Sequence, residues 1–180
     1  MLMEKVKRGK NRVDIEELHP SQVSLPEVSG GYIFKKDRLD PGDVGFTTSR
    51  QTLAYVEPKE QIITAGQKTY VKNFFVGFET ALYGTQFQNP TNGWAPHIDA
   101  GSFIDNHLLV EGSKNIDGYR LSSYMFKDRG GKLQMGPAWH FNLTFGNADY
   151  LEGWMTNGWY YAAMDEGIEN PKARACANLL

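Results

Sequence analysis

The chain has little of what marks several familiar function classes. It holds one cysteine, Cys176, in 180 residues. An intrachain disulfide is therefore excluded, and so is any cysteine-based zinc cluster. Charge of one sign is not in excess, with a formal net charge of −2. That balance gives no support for nucleic-acid binding. No apolar run reaches the length of a membrane span, and no leader sequence is visible before the polar stretch Lys7–Arg12. There is no His-Glu-x-x-His pair, no nucleophile elbow and no phosphate-cradling glycine fingerprint. Internal repeats and low-complexity tracts are also missing.

What is present suits one folded unit. Hydrophobic residues make up 41% of the chain and aromatics 13%, enough to build an apolar core at this length. Residues 1–18 alternate charged and apolar groups, with Val13 and Ile15 flanking Asp14 as a strand edge. Residues 19–30 have a connector composition rich in Pro and Ser. Tyr32–Lys36 reads as a strand, Asp40–Asp43 as a turn, and Phe46–Glu57 as a hairpin. The period then changes. Val71, Phe74, Phe75, Phe78, Ala81 and Leu82 define one apolar face of a helix over Lys68–Tyr83, ended by Gly84. Residues 85–97 read as a loop. A second helix is expected over Ser102–Ser113, capped by Asp99 or Ser102. Strands are expected over Tyr119–Phe126 and Lys132–Met135, reversed by Lys127-Asp128-Arg129-Gly130-Gly131. The aromatic stretch Asn147–Tyr161 has no clear period, and residues 162–180 suggest a short helical end. The fold class is α+β.

The chemistry-bearing residues cluster on either side of the last hairpin. Before it lies the polar loop with Asn115 and Asp117; after it come His140 and Asn142. A fold-back places these loops side by side. Asp then serves as base or metal ligand, and His and Asn as ligands or hydrogen-bonding groups. The plainer alternative is that Asp117-Gly118 is turn chemistry and His140 a core or surface residue. His19, His97 and His107 have no metal-ligand spacing with His140. The basic run Lys5, Lys7, Arg8, Lys10, Arg12 suits either a phosphate or a solvated face. Glu111 stands late in the second helix, where the dipole slightly disfavours a carboxylate.

These stretches, in this order, resemble the spore-coat CotH kinase family of atypical protein kinases. The resemblance is carried by Glu4–Ile15, Gly30–Asp37, Tyr55–Pro58, Ile98-Asp99 with Ser102–Asp105, Lys114–Arg120, Gly136–Leu143 and Phe145–Asn147. It implies a reduced protein-kinase-like fold, of which the chain matches the C-terminal two-thirds or so. Most of the nucleotide-binding N-terminal lobe, with its phosphate-contacting lysine, is expected to be missing, and none of Lys5, Lys7 or Lys10 is assigned to that lysine. Residues 1–180 are expected to be one such domain, N-terminally truncated.

The implied activity is phosphoryl transfer from ATP, with Mg²⁺ or Mn²⁺, to a protein Ser or Thr. Asp117 matches the catalytic aspartate, and Asn115 orients its loop. His140 stands where the family's Trp-Asp-Phe motif has its metal-binding aspartate, and Asn142 is the assisting position at metal and nucleotide. Imidazole is a poor Mg²⁺ ligand, and Mn²⁺ tolerates it better. The resemblance therefore implies an impaired kinase. The alternative is a pseudokinase-like scaffold binding coat or envelope proteins at the spore coat or an extracytoplasmic surface, with Trp154, Trp159, Tyr160 and Tyr161 offering contacts. A metal-dependent hydrolase using Asp117 and His140 with Glu111 or Asp149 is a third reading.

Overall fold

A computed structural model describes residues 4–163, with side chains through Tyr161. The helical end expected over 162–180 lies almost wholly outside the described residues. Eight elements follow in order: β1 Tyr32–Lys36, β2 Gly45–Thr47, β3 Thr52–Glu57, α1 Ala65–Tyr83, α2 Ala100–Ser113, β4 Ser123–Lys127, β5 Leu133–Met135 and α3 Tyr160–Ala163. The five strands form one antiparallel sheet in the order β2-β3-β1-β4-β5. The fold is α+β, as the periodicities indicated. Among the described residues no helix is long and apolar enough to cross a membrane.

Strand β1 is the middle of the sheet, and its alternation explains both faces. Tyr32 and Phe34 point to α1, where they meet Val71, Phe75, Phe78 and Leu82 in the main core. The Phe34 and Phe75 rings meet edge to face at 5.1 Å. Ile33 points the other way and packs with Val6, Val13 and Ile15. The expected strand edge at Val13 and Ile15 thus exists only as one isolated bridge between Arg8 and Val13. Its apolar residues cover the second face of the sheet instead of extending it.

Helix α1 starts three residues before Lys68. Thr64 and Gln67 form a reciprocal capping box, which satisfies exposed N–H groups at the helix start. The Gln67 amide, fully buried, also donates to the carbonyls of His19 and Gln22, tying the connector to the helix. Near the other end the buried Glu79 accepts from Thr48 Oγ1, Ser49 Oγ and Gln51 Nε2, fastening the β2–β3 turn. Asp99, one of the two candidate caps of α2, accepts from the Ser102 N–H at 2.8 Å.

The strand expected over Tyr119–Phe126 begins only at Ser123. The N–H groups of Arg120 and Leu121 both bond back to the Asp117 carbonyl, which holds 117–121 in a turn. Beyond it, β4 pairs with β1 in the register Phe34↔Met125, and the double-glycine reversal returns the chain as β5. Lys127 is buried here, and its ammonium donates to the carbonyls of Ser29 and Gly131. Gly30 lies so close to the reversal that a Cβ would sit 1.9 Å from the Arg129 nitrogen.

Two glycines separate this close approach from simple helix propensity. Gly30→Ala is expected to lose about 3 kcal/mol or more by chemical denaturation, because the clash is with backbone. Gly112→Ala has open space on the exposed side of α2, and should be neutral or stabilising by up to about 1 kcal/mol.

Candidate functional site

Helix α2 ends at Lys114, a left-handed residue whose N–H bonds to the carbonyls of Glu111 and Val110. Ile116 and Tyr119 then drop into an apolar cluster with Val110, Ala148 and Tyr160. This burial draws the polar loop against the helix it has just left. Gly118 is needed for that contact: a Cβ would come within 2.5 Å of Val110 Cγ2. Asn115 is 1% exposed, and its Oδ1 accepts the Asp117 N–H at 3.2 Å. It shapes the loop from below.

Asp117 is 7% exposed. Its Oδ1 accepts from an Arg120 guanidinium N–H at 2.9 Å. On the far side of the hairpin, Trp139 packs edge-on against Tyr124 at 5.6 Å. His140 follows with φ of 64°, a backbone value that non-glycine residues rarely adopt. Its Nδ1 lies 3.3 Å from Ser122 Oγ.

The two loops meet. Asp117 and His140 line one cavity of about 400 Å³ with Asp37, Arg38, Leu121, Ser122, Trp139, Leu143 and Tyr150. Neither Asn115, which is buried, nor Asn142, which is exposed, is among the lining residues. The Asn142 carbonyl instead accepts the Asn147 side-chain amide at 2.6 Å, within a tight turn over 141–147. A second cavity, of about 430 Å³, shares Trp139 and His140 and is otherwise bounded by segment 4–13 and residues 137–138. Lys5, Lys7 and Arg12 reach it, whereas Arg8 is paired with Glu17 at 2.6 Å and Arg12 with Glu4.

With this geometry in view, the comparison with known families is decisive for kinship. The model of the CotH kinase protein family matches residues 1–176. The chain belongs to the CotH family. No curated protein and no solved structure matches it. The CotH kinase description brings with it the expectation of ATP and a divalent metal, which the donor set of this domain can be tested against.

Mg²⁺ takes oxygen ligands in near-octahedral geometry. In this CotH domain one Asp117 oxygen is engaged by Arg120, and Asp37 Oδ1 accepts the Arg38 N–H at 2.8 Å. The imidazole of His140 supplies a nitrogen donor. Among the described residues no three His, Cys, Asp or Glu side chains converge to hold a metal ion. The described residues do not offer the oxygen-rich set that Mg²⁺ takes, and the tolerance of Mn²⁺ for imidazole adds no third ligand.

The carboxylates considered for a hydrolase lie elsewhere. Asp149 is exposed and does not line the cavity. Glu111 is a structural clamp: it accepts from Tyr119 Oη at 2.7 Å and from the N–H groups of Tyr160 and Tyr161 at 2.6 and 2.8 Å. Its place late in α2 is explained by these donors, which outweigh the small dipole penalty. Tyr160, buried beside it, has its hydroxyl pKa pushed up to about 12, mainly by desolvation. Of the four terminal aromatics, Tyr160 closes the core, whereas Trp154 and Trp159 are 55% and 61% exposed.

Residue-level reading assigned no role to Asp37, Arg38, Ser122 or Tyr150. Asp37 ends a block that carried the family resemblance, and that was its only signal. Lys36 just before it has its pKa lowered to about 8 by burial, with the negative charge of Glu79 opposing the shift.

Glu111→Gln would turn an NH₂ group toward at least one of the three donors. Charge-assisted bonds of this kind contribute about 1.5–3 kcal/mol. The substitution is expected to destabilise the domain by about 2–3 kcal/mol in urea denaturation, with Glu152→Gln, at an exposed position, as the neutral control.

Proposed function

We propose that this CotH domain acts by binding, as a pseudokinase-like scaffold, and that its site is an impaired descendant of one for ATP- and metal-dependent phosphoryl transfer to protein Ser or Thr. Residues 1–180 are read as a single domain with a reduced kinase-like fold, a reading supported by family membership. The partner class that membership suggests is a spore-coat or cell-envelope protein. Exposed Trp154 and Trp159 are residue types favoured at such interfaces.

One observation carries the reading. The position read by resemblance as the family's metal aspartate is His140, whose Nδ1 faces the Ser122 hydroxyl, beside an Asp117 already paired with Arg120. A kinase needs an oxyanion at that position to hold the metal that bridges the phosphates. The competing reading, residual phosphoryl transfer, draws on Asp117 and His140 sharing one cavity, since these positions match the acceptor and metal sides of a kinase site.

Calorimetric titration with ATP in the presence of Mg²⁺ or Mn²⁺, paired with a radiolabelled phosphate-transfer assay, separates the two. The wild-type chain is expected to transfer no phosphate and to gain no ATP affinity from Mg²⁺. His140→Asp should raise Mg²⁺-dependent ATP affinity about tenfold, roughly 1.4 kcal/mol. An unchanged metal titration in that variant would remove position 140 from the metal side. Phosphate transfer by the wild type that disappears in Asp117→Ala would overturn the scaffold reading.

A further inference from the structure

We infer that Ser122 and His140 form a nucleophile–base pair for acyl transfer, acting on small esters that enter the cavity they line. The inference stands apart from the scaffold reading, because it needs neither nucleotide nor metal.

Ser122 Oγ and His140 Nδ1 are 3.3 Å apart. That is within the looser range such pairs show without substrate. Both residues have positive φ, 50° and 64°. They come from different segments, and each is held in a conformation that side chains other than glycine disfavour. Strain of this kind collects at sites where surrounding structure fixes a functional side chain. Here the turn on the Asp117 carbonyl precedes Ser122 and the first residue of β4 follows it, so the hydroxyl sits on rigid chain.

The neighbouring serine supplies the contrast. Ser123 Oγ donates to the carbonyls of Gly118 and Leu121, a structural use of the same group. Ser122, 8% exposed, sets its hydroxyl against the imidazole and is among the residues that line the cavity. The cavity volume, about 400 Å³, is that of a small-molecule site. Leu121, Leu143 and Tyr150 give it apolar walls for an acyl group, and Arg38 adds one cation. The carboxylates of Asp37 and Asp117 line the same space.

In the step inferred, His140 carries its proton on Nε2 and Nδ1 accepts from the Ser122 hydroxyl. Oγ attacks the ester carbonyl carbon as its proton passes to Nδ1. The carbonyl carbon–oxygen bond to the alcohol then breaks, and the leaving oxygen takes the proton from Nδ1. Water attacks the acyl-Ser122 ester in the same way, releasing the carboxylic acid and restoring both side chains.

The test uses the full chain and an alkyl fluorophosphonate, which esterifies activated serine hydroxyls with loss of fluoride. Mass spectrometry with fragment ions that separate Ser122 from Ser123 locates the adduct. Hydrolysis of p-nitrophenyl acetate is followed in parallel. One adduct on Ser122 is expected, with labelling and hydrolysis both falling about 100-fold in Ser122→Ala and His140→Gln, each checked for native circular dichroism. An absence of adduct on wild-type Ser122 overturns the inference even if a variant fails to fold. A labelling rate unchanged in folded His140→Gln also overturns it.

Discussion

The pairing of β4 with β1 is the constraint on which the rest of the structure depends. Strand β1 lies at the centre of the sheet and supplies residues to both apolar clusters that cover it. Because β5 runs back antiparallel along β4, the chain before β4 and the chain after β5 leave the sheet near one another. That requirement brings residues 117–122 and 139–140 to one cavity. The reversal between the strands is fastened by a buried ammonium: Lys127 donates to Ser29 and Gly131, and its pKa is lowered by desolvation. Burying a charge is costly unless its donors are satisfied. Here two carbonyls receive it, and the ring of Phe74 lies 5.2 Å away.

A second knot shapes the other half of the site. Glu111 gathers a tyrosine hydroxyl and two backbone N–H groups, so α2, Tyr119 and the start of α3 share one carboxylate. His107 joins through its Nδ1, 2.6 Å from the same Tyr119 hydroxyl. This network is buried and closely satisfied, which favours one arrangement over many. Its consequence for the site is indirect but definite. With Tyr119 pinned to α2, the stretch 119–122 cannot continue β4, and Ser122 takes its positive φ where the chain turns into the strand.

The imidazole at position 140 then sets what the cavity can do. An aspartate there would add a hard oxygen ligand next to Asp117. Histidine instead pairs with a hydroxyl, and Asp117 keeps its arginine. Family membership coexists here with a cavity in which Asp117 is paired with Arg120 and His140 faces Ser122. Kinship describes the scaffold, and chemistry follows from the side chains placed on it.

Local pattern determined a good deal. The helix face built on Val71, Phe75, Phe78 and Leu82 is legible because apolar residues recur at helical spacing. The reversal at Gly130-Gly131 is legible because glycine tolerates positive φ, which Gly130 adopts at 66°. The order of motifs was enough to place the chain in its family. Other features were decided only by tertiary structure. The start of α1 depended on a side-chain exchange between Thr64 and Gln67, the loss of strand at 119–122 on a hydroxyl reaching back to Glu111, and the role of Gly118 on the bulk of Val110. Ser122 carried no local signal at all, since a serine pair in a strand-like run is unremarked until the fold sets a histidine against it. Periodicity reports which face of an element is apolar; it carries no record of which distant side chain will stand opposite, and that is set by packing over the whole sheet.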